Sequence, residues 1–311
     1  MPKGGIVMAY ESVWGNRLLK EFNNQLRIEE EDYKMYFWEP IPEILYHYSK
    51  DENLKSIINS NLFRASNIRY LNDISEYHYG IEVMRRVLTE NQNSFSSGFV
   101  DFFIKQIGKY DDNYYIERIF ILSLSTDGDC LPLWREYSGL DGHNIGLDLH
   151  FVLHNTPGRI RCHGHVVYSK ERQEQIILEK ATKLFEFYNK FAPNCDTEEF
   201  EVVSGFVFTQ MLHYVTLFKH PAFEYEKEYR FVYYDANSCM EKRNKPYFEL
   251  NAKIMNRPKK ELSLVEICMG PHNINSEDNT RSVLLNEKNT RDIRIYKSDI
   301  PLRYVPKAGG N

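Results

Sequence analysis

The chain has 311 residues and a net charge of −5, and 42% hydrophobic and 27% charged residues are ordinary values for a globular protein with a full core. The negative net charge argues against a molecule whose whole surface binds polyanions, and no apolar run is long enough to cross a membrane. Five cysteines without CxxC spacing and the lack of a signal sequence indicate a protein of the reducing cytoplasm. Aromatic residues reach 14%, which predicts aromatic-rich core and cleft walls.

Hydrophobic periodicity predicts an α+β chain with an N-terminal helical extension over 1–40, a single domain over 41–305 and a flexible tail over 306–311. The extension holds an amphipathic helix near 11–32, which suits a cap or a docking helix. Strands are predicted near 44–48, 62–66, 117–125, 143–149, 159–168, 228–235, 263–269 and 292–296. Helices are predicted near 51–60, 74–90, 98–109, 131–138, 170–191, 197–218 and 276–287.

The first strand carries a histidine and is followed by a polar turn and a helix. It reads Leu-Tyr-His-Tyr-Ser over 45–49, so it presents the His47 imidazole and the Ser49 hydroxyl just before a helix N-terminus. A second polar segment precedes the helix at 74–90. There, Asp73 and Glu76 have the spacing of a capping box. The alternative is that Tyr70 and Asn72 line the cleft opened by His47, and both interpretations can hold together.

The strand near 117–125 carries two small hydroxyl side chains. Ser123 and Ser125 share one face by the two-residue period of a strand, where they leave room for a ligand and offer hydrogen bonds. The alternative is a strand that packs its small-residue face against a helix. Trp134 and Tyr137 follow at i, i+3 spacing on one helical face, which favours a core role over ligand stacking.

Two glutamates and an arginine alternate near the start of the strand at 228–235. Glu226, Glu228 and Arg230 are predicted to share one face, and burying two adjacent carboxylates is costly unless Arg230 or a ligand compensates their charge. The alternative is a solvated edge strand with a ladder of Glu and Arg side chains.

Two further patterns are weaker. Cys162, His163 and His165 suggest a metal site, but Cys162 points away from the two histidines on a strand and no second ligand pair has zinc spacing. Residues 236–262 are polar and basic and form a long excursion predicted to lie on the surface. Its basic residues are candidates for binding a target through phosphates: Lys242, Arg243, Lys245, Lys259 and Lys260.

Together the motifs resemble the ADP-ribosyltransferase superfamily. They also resemble a widespread bacterial family of uncharacterised domains, through five segments between residues 44 and 303. These read His-Tyr-Ser, Leu-Asn-Asp-x-x-Glu, Ser-x-Ser followed by Leu-Trp-x-x-Tyr, Lys-His-x-x-Phe-x-x-Glu-x-Glu-x-Arg, and Ile-Pro-Leu-Arg. The resemblance implies an ADP-ribosyltransferase-like core of two packed mixed or antiparallel sheets with helical insertions. Tyr48 departs from the pattern of the polymerases, which have Gly there.

The resemblance also implies roles for the site residues. Glu228 is implied as the catalytic residue that binds the 2′-hydroxyl of the nicotinamide ribose, and Glu226 as the group that orients the nucleophile. His47 would hold the other ribose, and either Tyr48 or Tyr70 would stack on nicotinamide. The implied NAD-binding set is His47, Tyr48, Ser49, Tyr70, Asn72, Ser123 and Ser125, and no metal is needed.

The implied function is transfer of ADP-ribose from NAD to a macromolecule. Nucleic acid, and RNA in particular, is slightly favoured over protein as the acceptor because of the basic stretch. A bacterial toxin or antiphage defence effector with a neutralising antitoxin partner fits this superfamily. The alternatives are a non-catalytic module of the same fold that senses a nucleotide or partner, and a metal-dependent nuclease that uses the histidines.

Overall fold

A computed structural model of the chain describes 41–60, 62–71, 76–111, 116–149, 160–191, 208, 211–234, 240–242, 245–251, 264–284 and 293–302. The predicted extension over 1–40 with its helix near 11–32, the tail over 306–311 and most of the predicted helix over 197–218 lie outside the described residues. Within these ranges the chain folds around one large sheet.

Ten strands form this sheet, and helices pack against it. The strands are β1 Leu45–Ser49, β2 Leu62–Asn67, β3 Ile119–Ser125, β4 His143–Leu147, β5 Ile160–His165, β6 Glu228–Tyr234, β7 Met240–Lys242, β8 Lys245–Asn251, β9 Leu264–Met269 and β10 Arg294–Lys297. The longer helices are α1 Asp51–Ser60, α2 Glu76–Glu90, α3 Ser97–Asp111, α5 Lys170–Phe191 and α6 Glu277–Leu284. Between α3 and α5, the turn α4 Leu131–Leu133 continues as a π-helical turn, Trp134–Ser138. The α+β prediction is confirmed.

The sheet forks at β3. One edge of β3 pairs with β6 along its whole length, from Ile119 opposite Tyr234 to Ser125 opposite Glu228. The other edge pairs with β2 near its start and with β1 at its end, where Ser125 lies opposite Tyr46. The continuous path runs β10-β9-β4-β1-β3-β2-β8-β7, and β5 pairs with β6. The strands therefore form one forked sheet, whereas the resemblance implied two packed sheets.

Helices α2, α3 and α5 cover one face of the sheet with an aromatic-rich core. On α2, Ile81, Met84 and Leu88 recur at helical spacing and are buried, whereas Glu82 and Arg85 form an ion pair on the outer side. Aromatic side chains of α3 and α5 complete this core, among them Phe99, Phe103, Phe185 and Tyr188. The opposite face holds a second core, to which α1 contributes Leu54 and Ile58.

Part of the basic stretch, predicted as an excursion between two strands, forms strands of its own. The segments 240–242 and 245–251 form a hairpin, and β8 pairs with β2, so this part of the stretch extends the sheet.

None of the helices in the described part of the chain is both long enough and apolar enough to span a membrane.

Candidate functional site

A left-handed turn brings the two glutamates of the Glu-x-Glu motif together. Glu226 is the last residue of the 3-10 helix Pro221–Glu226, and Glu228 is the first residue of β6. The residue between them, Lys227, has a φ of 45°, which is unusual for a residue with a Cβ atom. The sequence prediction that Glu226 lies on the strand is therefore wrong. The turn nevertheless places both side chains against the same lysine.

Hydrogen bonds from the end of β3 fix this turn. The Ser125 hydroxyl donates to the Glu226 carbonyl oxygen at 2.8 Å, and the Thr126 N–H donates to the Lys227 carbonyl oxygen at 3.0 Å. The exposed Lys227 ammonium lies 2.8 Å from the Asp127 carboxylate. A strained backbone conformation of this kind persists only where its surroundings determine it, and such conformations concentrate at functional sites.

Five charged side chains from three parts of the chain form a buried charge cluster: Glu76, Lys219, Glu226, Glu228 and Arg230. Lys219 Nζ lies 2.6 Å from Glu76 Oε1, 2.6 Å from Glu226 Oε2 and 2.5 Å from Glu228 Oε1. Arg230 joins Glu228 Oε2 through Nε at 2.7 Å and Glu76 Oε2 through Nη2 at 2.8 Å. The Arg230 Nη1 group donates to the Thr216 carbonyl oxygen at 3.0 Å.

All five members of the charge cluster are at most 7% exposed, so their protonation states depend on one another. Burial raises the pKa of Glu226 to about 8, and the neighbouring Glu228 carboxylate adds to this shift. Burial alone would raise the pKa of Glu228, but the charges of Arg230 and Lys219 outweigh it and hold that pKa well below its usual range. The pair therefore holds one protonated and one ionised carboxyl group at neutral pH.

Neighbouring groups fix the charge cluster in place. The Gln173 side chain donates to the Lys219 carbonyl oxygen at 3.0 Å and accepts from the Tyr79 hydroxyl at 2.9 Å. The Glu228 N–H donates to the Tyr168 hydroxyl at 3.0 Å. The ring of Phe223 lies under the Lys219 ammonium, with 4.7 Å between Nζ and the ring centroid. These contacts tie the site to α2, to α5 and to the 3-10 helix.

The structure brings Ser123 and Ser125 to the face of the sheet that carries Glu228. Ser125 lies opposite Glu228, and Ser123 lies opposite Arg230, because directly paired residues point to the same side. Ser125 is buried, and its hydroxyl accepts from the Asp127 N–H at 3.0 Å in addition to its bond to Glu226. Its hydroxyl is therefore engaged in the turn, whereas Ser123 is half-buried and faces the site.

The structure does not bring His47 and Ser49 to this face. Tyr46 pairs with Ser125 and so shares the face of Glu228, which directs His47 to the other side. There the ring of His47 packs edge-on against Phe63 with 5.4 Å between centroids. Burial lowers the pKa of His47 to about 4. Ser49 lies on the same side as His47 and is buried.

Tyr48 lies on the face of the sheet that carries Glu228, but its contacts give it a structural role. Its hydroxyl donates to the Asp127 carbonyl oxygen at 2.7 Å and accepts from the Cys130 N–H at 2.9 Å. Its ring packs edge-on against Trp134 at 4.9 Å, and Trp134 is fully buried, as the core interpretation of its spacing predicted. Of the tyrosines on β1, Tyr46 is the half-buried one with the more open position, and its hydroxyl donates to Glu266 at 3.0 Å.

Sequence reasoning missed two members of the charge cluster. Glu76 was interpreted as the partner of a capping box with Asp73, but its carboxylate binds Lys219 and Arg230. Lys219 stands in the Lys-His-x-x-Phe-x-x-Glu-x-Glu segment and was given no role there. The available signal was the position of Lys219 seven residues before Glu226 in that motif. Asn72 and Asp73 lie outside the described residues, and Tyr70 is half-buried in a 3-10 turn at Ile68–Tyr70.

The remaining candidates lie elsewhere. Lys242 and Lys245 are paired at the end of the β7–β8 hairpin, and Arg243, Lys259 and Lys260 lie outside the described residues. His163 points to the face opposite Cys162, and its ring nitrogen Nδ1 lies 2.7 Å from the Tyr229 hydroxyl. The residues that the structure describes contain no group of three or more His, Cys, Asp or Glu side chains arranged to hold a metal ion.

Part of the chain matches a known protein family. A family model described as a protein of unknown function, DUF2971, matches residues 133–231. This range contains four members of the charge cluster, from Lys219 to Arg230, whereas Glu76 and the strands β1 to β3 precede it. No curated protein and no solved structure matches the chain.

Proposed function

We propose that the chain is a glycosyltransferase that transfers ADP-ribose from its substrate NAD to a macromolecule. The observation that supports this proposal is the order β1-β3-β6 in the sheet. The motifs of these three strands resemble the His, Ser-x-Ser and Glu strands of ADP-ribosyltransferases, which line one site there. The three strands are far apart in sequence but are neighbours in the sheet, and a site shared by their motifs requires this proximity.

Glu228 has the electrostatic properties that the reaction needs. Cleavage of the bond between ribose C1′ and the nicotinamide nitrogen leaves the electron pair on nicotinamide and positive charge on the ribose. An ionised carboxylate stabilises this charge better in the transition state than in the ground state. Glu228 Oε1 accepts from Lys219 and Oε2 from Arg230, and a carboxylate can accept a further bond from a ribose hydroxyl.

Glu226 is the proposed partner of the acceptor. The acceptor atom forms the new bond to C1′ and loses a proton, which the ionised form of Glu226 takes up. Residues on the face of Glu228 supply the NAD contacts in this proposal, with Tyr46 from β1 and Ser123 from β3, and His47 and Ser49 are left out.

The proposed acceptor is nucleic acid, in line with the paired Lys242 and Lys245 at the end of a hairpin. Such an enzyme would act as a toxin or defence effector in the cytoplasm and would need a neutralising partner. Labelled ADP-ribose that is lost on nuclease treatment of a reacted lysate supports a nucleic-acid acceptor, and label lost only with protease supports a protein acceptor. A Glu228→Gln protein should be expressed more freely than the wild type, and equal tolerance by the host argues against a toxin.

Free nicotinamide tests the proposal. Purified protein incubated with NAD should release nicotinamide with or without a chelator, and Glu228→Gln should lower the rate by on the order of a hundredfold, since one such charged contact contributes about 3 kcal/mol. Glu90→Gln, an exposed change on α2, is the matched control and should leave the rate unchanged. A folded Glu228→Gln protein with the wild-type rate contradicts the proposal, and nucleic-acid cleavage that a chelator abolishes indicates a nuclease instead.

A second candidate is a non-catalytic module of the same fold. It is favoured by the internal pairing of the charge cluster, in which each of the three carboxyl groups already contacts a cationic side chain. Nucleotide binding without nicotinamide release or nucleic-acid cleavage would support this candidate.

A further inference from the structure

The charge cluster contains one more acid than base. Its three carboxyl groups, Glu76, Glu226 and Glu228, face two cations, Lys219 and Arg230. With every carboxyl group ionised, the buried cluster would carry one uncompensated negative charge, which is costly away from water. One bound proton makes it neutral.

The geometry selects the carboxyl group that takes this proton. Glu228 binds both cations, through Oε1 to Lys219 and through Oε2 to Arg230. Glu76 also binds both cations, one with each oxygen. Glu226 binds Lys219 alone and faces Glu228. It therefore has the weakest positive surroundings of the three.

Glu76 supplies the third carboxyl group of the cluster. It comes from the first turn of α2, far in sequence from the others, and without it two carboxylates would face two cations. Both Glu226 and Glu228 could then be ionised in a neutral cluster. We infer that Glu76 is a positioning residue that keeps one proton on Glu226, so that the group proposed to take the acceptor proton is held in its protonated form at neutral pH.

The catalytic consequence rests on the proposed function, whereas the location of the proton does not. A protonated Glu226 cannot accept a proton from the acceptor, so transfer should increase as pH rises through the titration of Glu226. Cleavage of the nicotinamide bond relies on Glu228 and should not follow this titration. The charged and titratable groups that face Glu226 are Glu228 from β6, Lys219 and Tyr225. Arg230, Glu76 and Tyr168 join the cluster through Glu228 and Lys219.

Unfolding equilibria at pH 6.5 to 8 test the location of the proton without any substrate. In this range the folded wild type retains a proton that an unfolded glutamate has released, so stability should fall as pH rises. The unfolding constant of the wild type, divided by that of Glu226→Gln, should rise about tenfold per pH unit until it levels near pH 8. The unfolding constant of Glu76→Gln, divided by that of Glu226→Gln, should not change with pH in this range. Glu82→Gln, an exposed change on α2, should give the same pH-dependent ratio as the wild type.

Two outcomes overturn the inference. One is a ratio of unfolding constants for Glu76→Gln that rises with pH as steeply as that of the wild type. The other is a wild-type ratio that does not change with pH. If Glu76→Gln does not fold, carbon-13 NMR of labelled glutamate in the wild type still decides whether the proton lies on Glu226, on which the role of Glu76 depends. The carboxyl resonance that is missing in Glu226→Gln should titrate near pH 8, and titration near the ordinary value of 4.5 overturns the inference.

The pH profile of ADP-ribose transfer tests the catalytic consequence. Transfer by Glu76→Gln should already be at its plateau at neutral pH, whereas the wild type should approach its plateau only above pH 8. A lower rate at every pH with an unchanged midpoint is the signature of a merely structural Glu76 and contradicts its positioning role. Absence of nicotinamide release from both proteins at every pH would defeat the proposed function, and the unfolding ratios would still decide where the proton lies.

Discussion

Buried titratable groups are ionised in the charge cluster on one face of the sheet, whereas two buried histidines on the opposite face are neutral. On the face of Glu228, charges are kept because each has a partner of opposite sign, as in the contact between Arg230 and Glu228 at 2.7 Å. On the other face, burial among apolar side chains lowers the pKa of His47 and of His163 to about 4, so both rings are neutral at pH 7. Burial is common to the charge cluster and to these two rings. In the cluster, ion pairs with groups of opposite sign oppose the effect of burial on the ionised groups. The proposed cleavage of NAD is therefore expected on the face of Glu228, where buried side chains remain ionised.

The largest effect should come from removing one partner on the charged face. Arg230→Met leaves Glu228 and Glu76 buried with a single remaining cation and should lower the free energy of unfolding by roughly 3–5 kcal/mol. Chemical denaturation measures this change. Arg86→Met is the control, since its exposed ion pairs with Glu90 and Glu174 contribute at most about 1 kcal/mol.

The double variant Arg230→Met with Glu228→Gln sharpens this test. It removes a positive and a negative charge together and should recover a large part of the stability lost in the single variant. Equal losses for Arg230→Met and Arg86→Met would show that the cluster is not charge-coupled, and the contrast between the two faces would then fail.

A smaller effect is expected on the neutral face and depends on pH. Because the folded state holds His47 neutral while the unfolded chain takes up a proton below pH 6.5, stability should fall as pH drops from 6.5 to about 4. The contribution of one such histidine is about 1.4 kcal/mol per pH unit. His47→Phe should remove this part of the acid sensitivity, and His78→Phe, on the exposed side of α2, should not. An acid sensitivity unchanged in His47→Phe would mean that the ring is charged or solvated.

The smallest effect concerns the turn that joins the Glu-x-Glu pair. Ser125→Ala removes the donor to the Glu226 carbonyl oxygen and the acceptor for the Asp127 N–H, and should cost about 1–2 kcal/mol. Thermal unfolding measures it against Ser282→Ala, an exposed hydroxyl on α6. A cost no larger than that of the control would show that the left-handed residue Lys227 does not depend on β3.

The sequence was sufficient for most of the elements and for three of the five members of the charge cluster. Alternation and apolar runs predicted β3 and β6, and the motif predicted Glu226, Glu228 and Arg230. The pattern could not predict Glu76, because its contact with Arg230 joins residues 154 positions apart. The period of a strand also leaves open which face of β1 meets the site, so His47 and Tyr46 could not be distinguished. The β7–β8 hairpin was not predicted, because its polar and basic composition was interpreted as a surface excursion between two strands.

Nicotinamide release by Glu228→Gln and by His47→Ala, measured side by side, tests the central claim most directly. The two variants alter opposite faces of the same sheet, and each should be shown to be folded by its thermal unfolding. We predict that kcat/KM for NAD cleavage falls by on the order of a hundredfold in Glu228→Gln and changes by less than about threefold in His47→Ala. A large loss in His47→Ala together with an unchanged rate in Glu228→Gln would place the chemistry on the other face and contradict the account.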